Sequence, residues 1–240
     1  FALRGGYGSS RLLPYLDYAT IQQRPKVLLG YSDITALLLA IQHQTGLVTF
    51  HGPVVNQKLT PYTLTALTQA LITPTTPRLL GAPPPFSGQP GQVERTNRVV
   101  TIVPGKAQGA LMGGNLTLLT HLLGTAYFPD LTGTILCLED VSEAVYRLDR
   151  MLTQLWLAGQ FAGIRGIVLG KFTDCKPTYS LAASRTLAEV LEERCRDLGI
   201  PAVRGLLIGH VEEQTTLPIG CQAELDASAG TLQLLEPAVG

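Results

Sequence analysis

The chain carries little charge and no excess of either sign. Charged residues make up 15% of its 240 residues, and 18 basic side chains balance 18 acidic ones for a formal net charge of +0. A protein that binds nucleic acid or an anionic lipid surface through charge needs a basic field. We therefore expect neither nucleic acid nor a membrane as a partner.

Long apolar runs and clustered cysteines are also missing from the sequence. No uninterrupted apolar stretch reaches the ~20 residues that cross a bilayer. The four cysteines are scattered without a CxxC pair, so we expect no metal, no redox motif and no cofactor. Reduced thiols inside apolar patterns fit a cytoplasmic protein. The hydrophobic share of 45% is typical of a well-cored globular chain and excludes disorder.

The sequence begins without a methionine, at Phe1-Ala2-Leu3, which has the pattern of a strand end. We expect from this pattern that the first strands of an N-terminal sheet are missing from the sequence.

The first part of the chain alternates between strand and helix patterns. An apolar run at residues 26–30 predicts a buried strand, and residues 34–45 predict a helix that ends at Gly46. A further short strand is predicted at residues 48–50. Strand–helix–strand alternation favours an α/β fold with a parallel sheet and helices on its faces.

A stretch rich in proline and glycine separates this part from the rest. We place an N-terminal α/β domain at residues 1–82, a linker at 83–92 and a C-terminal α+β domain at 93–240, with the active site in the cleft between the domains. In the second domain we predict a helix that follows Gly113-Gly114-Asn115, a buried strand that ends at Glu139-Asp140, and a long helix that is capped by Ser180 and ended by Gly199.

Gly30-Tyr31-Ser32-Asp33 is the most informative motif of the sequence. It places a serine at a sharp turn between a buried strand and a helix, where the hydroxyl leaves the sheet edge and helix N–H groups face a developing oxyanion. Gly30 permits the turn because a side chain there would crowd the backbone. Ile34 stands where the G-x-S-x-G elbow has its second glycine. The alternative interpretation is an ordinary Ser/Asp helix cap.

A serine nucleophile needs a base, and the sequence offers only His43, His51, His121 and His210. His43 and His121 lie within helical patterns and are most simply surface residues. His51 and His210 each follow a strand, where loops carry function. The residues alone do not choose between these two.

The base in turn needs an acid that fixes its tautomer. Glu139 and Asp140 end an apolar strand, and Glu143 follows one turn later. For all three carboxylates the competing interpretation is capping of the next helix, and it applies least to Glu139, which precedes the expected cap.

Arg4-Gly5-Gly6-Tyr7-Gly8 forms a second candidate site. Glycines between a strand and a helix let a ligand approach backbone N–H groups, which bind an anion or an oxyanion. The segment is neither a P-loop nor a G-x-G-x-x-G motif. We also consider Arg4 as the partner of a substrate carboxylate.

Taken together, these motifs resemble those of the LD-carboxypeptidases, the muramoyltetrapeptide carboxypeptidases of bacterial murein recycling. The resemblance covers essentially the whole chain. It rests on Arg4-Gly5-Gly6-Tyr7-Gly8, Gly30-Tyr31-Ser32-Asp33, Thr49-Phe50-His51-Gly52-Pro53, Gly113-Gly114-Asn115, Leu138-Glu139-Asp140, and Gly209-His210 followed by Leu217-Pro218-Ile219-Gly220.

The resemblance implies a serine peptidase that uses Ser32 as nucleophile, His210 as general base and acid, and Glu139 as the orienting acid. It also implies an oxyanion hole formed by the N–H groups of Gly6 and Asp33. The implied substrate is a murein tetrapeptide that loses its terminal D-alanine, and the implied assembly is a homodimer. We expect the substrate to be contacted by Arg4, Gly5, Tyr7 and His51, with His51 lining the cleft.

Two alternatives stay open at this stage. The family is similar to microcin C immunity peptidases, which cleave a peptide-nucleotide and are expected to hold its adenine with an aromatic loop. Trp156, the single tryptophan, lies in an apolar helix pattern and is expected in the core. The second alternative is a non-catalytic module that binds a phosphorylated sugar or nucleotide at the glycine-rich loop.

Overall fold

The computed structural model describes residues 1–85, 97–178 and 185–239. Its strands form a three-stranded sheet of order β1-β2-β9 and an eight-stranded sheet of order β3-β11-β10-β5-β6-β7-β8-β4. The strands are β1 (Leu29–Gly30), β2 (Thr49–His51), β3 (Arg78–Leu79), β4 (Val100–Val103), β5 (Lys106–Asn115), β6 (Thr134–Val141), β7 (Gly166–Thr173), β8 (Ala202–Arg204), β9 (Leu217–Ile219), β10 (Gln222–Asp226) and β11 (Thr231–Leu234). The helices are α1 (Tyr18–Gln23), α2 (Thr35–Thr45), α3 (Pro61–Leu71), α4 (Leu116–Leu122), α5 (Val145–Leu157) and α6 (Leu187–Leu198), with 3₁₀ helices at Ser9–Tyr15 and Ser32–Ile34.

The smaller sheet contains the strands predicted around the serine turn, but β1 covers only Leu29–Gly30 of the buried strand expected at 26–30, since Lys26 and Val27 are exposed. β1 and β2 are parallel, with Gly30 opposite His51, which confirms the expected α/β arrangement. α2 packs on this sheet with most of its surface buried, and it ends at Gly46, whose φ of 73° is the left-handed conformation that glycine adopts freely.

The larger sheet has a parallel centre of β5, β6, β7 and β8, and antiparallel strands at both edges. The sequence gives no strand signal for β5, because glycine is depleted in strands. The structure shows why glycine stands there. A Cβ at Gly109 would collide with the Gly133 carbonyl, and one at Gly113 with the Cys137 carbonyl.

Two strands belong to a sheet formed mainly by the other predicted domain. β3, from the region assigned to the first domain, pairs with β11 in the larger sheet. β9, from the region assigned to the second, pairs antiparallel with β2 in the smaller one. These two exchanged strands connect the two sheets. The domain boundaries at 82 and 92 stay a prediction. Residues 86–92 of the expected linker lie outside the described residues.

Two helix starts and the burial of one helix side chain differ from the sequence expectations. α6 begins at Leu187 with a capping box of Thr186 and Glu189, whereas Ser180 lies outside the described residues. The N-cap of α5 is Ala144, without a side-chain cap. Trp156 at the end of α5 is 50% exposed, with the Arg194 guanidinium 4.8 Å from its ring centre, so its expected place in the core is wrong.

Within the described residues, no helix combines the length and apolar character needed to cross a membrane.

Candidate active site

Ser32 occupies a strained position at the end of β1. Its φ is 62°, in the left-handed region that a residue with a side chain adopts only at a cost. The 3₁₀ turn Ser32–Ile34 follows and leads into α2. A Cβ at Gly30 would lie 2.9 Å from Ile34 Cγ2 and 3.0 Å from Ala2 Cβ, so the tight turn requires glycine there. This backbone is the kind of strand-to-helix elbow that presents a nucleophile.

The glycine-rich loop packs directly against this serine. A Cβ added at Gly5 would lie 3.0 Å from Ser32 Cβ and 3.1 Å from Ser32 Oγ, so a larger residue would press on the hydroxyl. Gly6 has a φ of 138° and is exposed, and Tyr7 is 94% exposed. Arg4 is exposed as well. The loop thus has exposed backbone at Gly6 and two large exposed side chains, Arg4 and Tyr7.

The far end of that loop is bonded to Asp33. The Ser9 N–H donates to Asp33 Oδ2 at 2.9 Å, and the Ser9 hydroxyl donates to the same oxygen at 2.6 Å. Both residues are buried. The carboxylate beside the serine therefore faces the loop and not the solvent.

Glu139 and His210 are joined by a short hydrogen bond. Glu139 Oε2 lies 2.7 Å from His210 Nδ1, the glutamate is fully buried, and the histidine side chain is 17% exposed. Glu139 lies in β6 where the register with β7 shifts, and such a bulge re-aims a side chain. A carboxylate at Nδ1 favours the tautomer whose Nε2 accepts a proton.

Gly209 makes this pair possible. Its φ is 106°, and a Cβ there would lie 2.5 Å from Glu139 Oε2 and 2.7 Å from Glu139 Cβ. The Thr173 hydroxyl donates to the His210 carbonyl oxygen at 2.8 Å and fixes the other side of the turn. A loop that follows β8 is therefore held against the carboxyl end of β6.

Tyr31 connects this pair to the serine turn. Its ring centre is 4.7 Å from that of His210, with the planes at 58°, and 6.0 Å from that of His51, edge on. Burial raises the pKa of the Tyr31 hydroxyl, and the nearby Glu139 charge raises it further. Since Tyr31 precedes Ser32, the structure brings all three residues of the expected triad into one region.

His51 has no exposed surface, which corrects the expectation that it lines the cleft. Neither ring nitrogen has a hydrogen-bond partner among the described residues. Burial lowers the pKa of His51 to about 4, opposed by the charge of Glu139 and reinforced by that of His210. His51 is therefore neutral at pH 7 and lies beneath the site, where the absence of a side chain at Gly114 leaves room for its ring.

Asp140 does not cap the helix that follows it. Its carboxylate instead accepts hydrogen bonds from the Thr117 N–H at 3.0 Å, the Thr117 hydroxyl at 2.8 Å and the Asn115 side-chain amide at 3.0 Å. These donors lie at the start of α4, whose N-cap is Asn115. Burial raises the pKa of Asp140, although the Thr117 hydroxyl and backbone N–H groups oppose that shift.

Glu143 does not cap the next helix either, and it forms an ion pair with Arg147 at 3.7 Å. The sequence motifs point to Ser32, Glu139 and, through the family resemblance, His210. They do not signal that Tyr31 packs on His210 or that Ser9 bonds Asp33. Within the described ranges no three His, Cys, Asp or Glu side chains are grouped to hold a metal ion. The arrangement offers a hydroxyl, an oriented imidazole and backbone donors, which together suit acyl transfer.

Two domain profiles of one known family match the chain. The profile of the LD-carboxypeptidase N-terminal domain matches residues 1–52, and that of the LD-carboxypeptidase C-terminal domain matches residues 108–225. The chain therefore belongs to the LD-carboxypeptidase family and is an enzyme of the carboxypeptidase class.

Individual relatives agree with this assignment. A probable murein peptide carboxypeptidase of Bacillus subtilis is 38% identical over 95% of this chain and 68% of its own length. The microcin C7 self-immunity protein of Escherichia coli is 31% identical over 97% of this chain and 72% of its own. The crystal structure of muramoyltetrapeptide carboxypeptidase from Oxalobacter formigenes superimposes with a TM-score of 0.81 at 32% identity, over 98% of this chain and 76% of that one.

Proposed function

We propose that this protein is a serine LD-carboxypeptidase that releases the terminal D-alanine from murein tetrapeptides through Ser32, His210 and Glu139. The observation that carries the proposal is the 2.7 Å contact between buried Glu139 and His210, with Tyr31 packing the imidazole beside Ser32. An oriented imidazole next to a serine on a strained turn is the arrangement that activates a hydroxyl.

The proposed reaction follows from these parts. Ser32 Oγ attacks the carbonyl carbon of the peptide bond between an L-type centre and D-alanine, and His210 Nε2 takes the hydroxyl proton. His210 then gives that proton to the leaving amine of D-alanine. Water, deprotonated by the same imidazole, releases the peptide from the acyl-enzyme. Glu139 stays ionised and stabilises the imidazolium at each step.

The backbone N–H groups of Gly6 and Asp33 are proposed to hold the oxyanion. Gly5 supports this role, because its contact with Ser32 places the loop beside the hydroxyl. A carboxypeptidase must also recognise a free carboxylate, and exposed Arg4 at the start of the loop is our candidate. Gly5 and Tyr7 are proposed to contact the peptide.

Other features of the proposal concern the setting of the enzyme. We propose a cytoplasmic location, which the four free, buried cysteines suit, because a reducing compartment keeps thiols free. Homodimer formation is also proposed, on the family resemblance. Its test is the molar mass in solution, measured by light scattering, where a monomer at all concentrations would reject it.

The test of the function is incubation with a muramoyl tetrapeptide, followed by mass spectrometry for loss of one D-alanine. Ser32→Ala is expected to lower the rate of D-alanine release by several orders of magnitude. Ser142→Ala is the matched control, because Ser142 is also a serine with positive φ, at 57°. Both variants change the backbone preference in the same way, so loss of activity in Ser32→Ala alone identifies the hydroxyl. An active Ser32→Ala enzyme would overturn the mechanism.

The same assay separates the alternatives. A microcin-type substrate, in which an amino acid is joined to a nucleoside through a sulfamoyl group, is tested beside the tetrapeptide. Trp156 does not favour that substrate, since it lies on helix α5 and not on a loop, and the Arg194 guanidinium already lies over its ring. Faster turnover of the sulfamoyl compound would reassign the substrate. Binding of a nucleotide or phosphosugar without turnover of either substrate would indicate a binding module.

A further inference from the structure

The Asp33 side chain joins two parts of the proposed oxyanion hole. Ser9 donates twice to one oxygen, Asp33 Oδ2, with N···O and O···O distances of 2.9 Å and 2.6 Å. Asp33 is 6% exposed and Ser9 is 8% exposed. Hydrogen bonds to an ionised carboxylate away from water are among the stronger ones in proteins.

The loop held by this contact has little intrinsic stiffness. Gly6 and Gly8 have φ values of 138° and 107°, conformations that glycine reaches without cost and leaves as easily. The positions of its N–H groups therefore depend on how its ends are fixed. One end, Gly5, lies against Ser32, and the other end, Ser9, is bonded to Asp33. Both ends are thus fixed to consecutive residues of the serine turn.

We propose that the Asp33 carboxylate is a positioning residue for oxyanion stabilisation. Its backbone N–H supplies one donor, and its side chain sets where the Gly6 N–H, the second donor, is found. The inference rests on the proposed function, because it needs Ser32 as the nucleophile. Oxyanion donors act only when they lie about 2.7–3.1 Å from the developing charge. A loop released at Ser9 would lose that distance while Gly5 and Arg4 stay beside Ser32.

The test measures kcat and KM for three variants of this contact. Asp33→Ala removes the acceptor and is expected to lower kcat about 10²-fold, similar to the loss of one oxyanion donor. KM should change by less than about threefold, since the oxyanion exists only in the transition state. Ser9→Ala keeps one of the two bonds and should lower kcat about tenfold. Asp33→Asn keeps an acceptor oxygen and should recover part of the lost kcat.

Asp17 is the matched control for these variants. Its carboxylate also accepts the N–H and the hydroxyl of a single residue, Thr20, at 3.0 Å and 2.7 Å, but it lies at the exposed start of α1. Asp17→Ala should leave both kinetic constants unchanged. An equal fall of kcat in Asp17→Ala would show a general effect of loosening the N-terminal segment and would overturn the proposal.

A double variant tests whether Ser9 and Asp33 act through one contact. Combining Ser9→Ala with Asp33→Ala should be no slower than Asp33→Ala alone, because the contact is already lost. If the fold-losses of kcat in the two single variants multiply in the double variant, a shared role is rejected. A raised KM with unchanged kcat would assign Asp33 to substrate binding and would also reject the proposal.

Folding and chemistry are separated by two further measurements. Circular dichroism shows whether Asp33→Ala folds. If it does not, the kinetics of Ser9→Ala and Asp33→Asn decide the question, provided that both variants keep the wild-type melting temperature. Ser32→Ala identifies which idea has failed. An active Ser32→Ala enzyme rejects the proposed function, whereas an inactive Ser32→Ala beside a fully active Asp33→Ala rejects only the role of the carboxylate.

Discussion

The Tyr31 ring packs against the His210 imidazole, with 4.7 Å between ring centres. This contact joins the residue before the proposed nucleophile to the proposed base, across the two sheets. It leaves His210 with an aromatic neighbour on its face and Glu139 at its Nδ1 edge. A small rotation of the imidazole is therefore opposed from two directions.

Removal of the Tyr31 ring should consequently misplace the base. We expect Tyr31→Ala to lower kcat about 10²-fold, the effect of a displacement of about 1 Å at a reacting group. Tyr31→Phe keeps the ring and should stay within about threefold of wild type, on the same argument. Steady-state kinetics on the tetrapeptide compare the two. Equal activity of Tyr31→Ala and wild type would show that Glu139 alone orients His210.

Glu139 is expected to be the acid on which the histidine depends. Glu139→Gln keeps the shape but favours the wrong tautomer, so the rate should fall by about 10⁴. Glu143→Gln is the comparison, because it removes a carboxylate one turn later, in an ion pair whose arginine is exposed. Its rate should be close to wild type. The reverse pattern, with Glu143→Gln inactive, would move the acid one turn along the chain.

The roles of His51, at the end of β2, and His210, in the loop after β8, are expected to differ. His210→Ala should abolish formation of the acyl-enzyme, which is measured as a burst of D-alanine in rapid-quench experiments. In contrast, His51→Ala should act through packing, because the His51 ring is buried beneath the site and does not meet solvent. We expect it to lower the melting temperature and leave measurable turnover. Complete loss of the burst in a folded His51→Ala enzyme would contradict this assignment.

His51 should also make stability depend on pH. Its pKa is about 4 when folded, against the ordinary value of 6.5, so between these values the unfolded chain binds the extra proton. The free energy of unfolding should therefore fall as pH drops from about 6.5 to 4, by on the order of 3 kcal/mol from this group. His51→Gln should remove that part of the slope in urea titrations. Parallel slopes for wild type and His51→Gln would refute the buried neutral state.

Asp140 should matter for stability through α4. Asp140→Ala leaves the Thr117 N–H and the Asn115 amide without their acceptor and should destabilise the fold by about 1–2 kcal/mol, as lost caps do. Glu143→Ala loses a partly exposed ion pair and should cost about 0.5 kcal/mol or less. Thermal unfolding of both variants measures the difference. Equal losses would mean that the α4 contacts contribute little.

The sequence predicts features that depend on neighbours along the chain. Residue patterns suffice for the strand–serine–helix turn at Ser32, the buried strand that carries Glu139, and the glycine at the end of α2. Each of these is set within one turn or one strand. The glycine requirement at Gly30 also follows from local crowding, and the Cβ distances agree with it.

Features that depend on distant parts of the chain could not be predicted in this way. The sequence pattern of β5 does not predict a strand because of its glycines. These glycines are required because a Cβ there would collide with carbonyl groups of the neighbouring backbone. The direction of Asp140 depends on α4, which packs beside β6 only after folding. Burial of His51 depends on β9, which covers β2 from the far end of the sequence.

The pairing of β9 with β2 also bears on when the enzyme becomes active during synthesis. One edge of β2, the strand that ends in His51, stays open until residues 217–219 have left the ribosome. His210 emerges only shortly before them. Because domains fold as their segments emerge, the first part of the chain is made long before its own sheet is complete. A nascent or truncated chain that ends before residue 210 has Ser32 without the proposed base, so the proposed peptidase activity requires synthesis to proceed through His210 and β9.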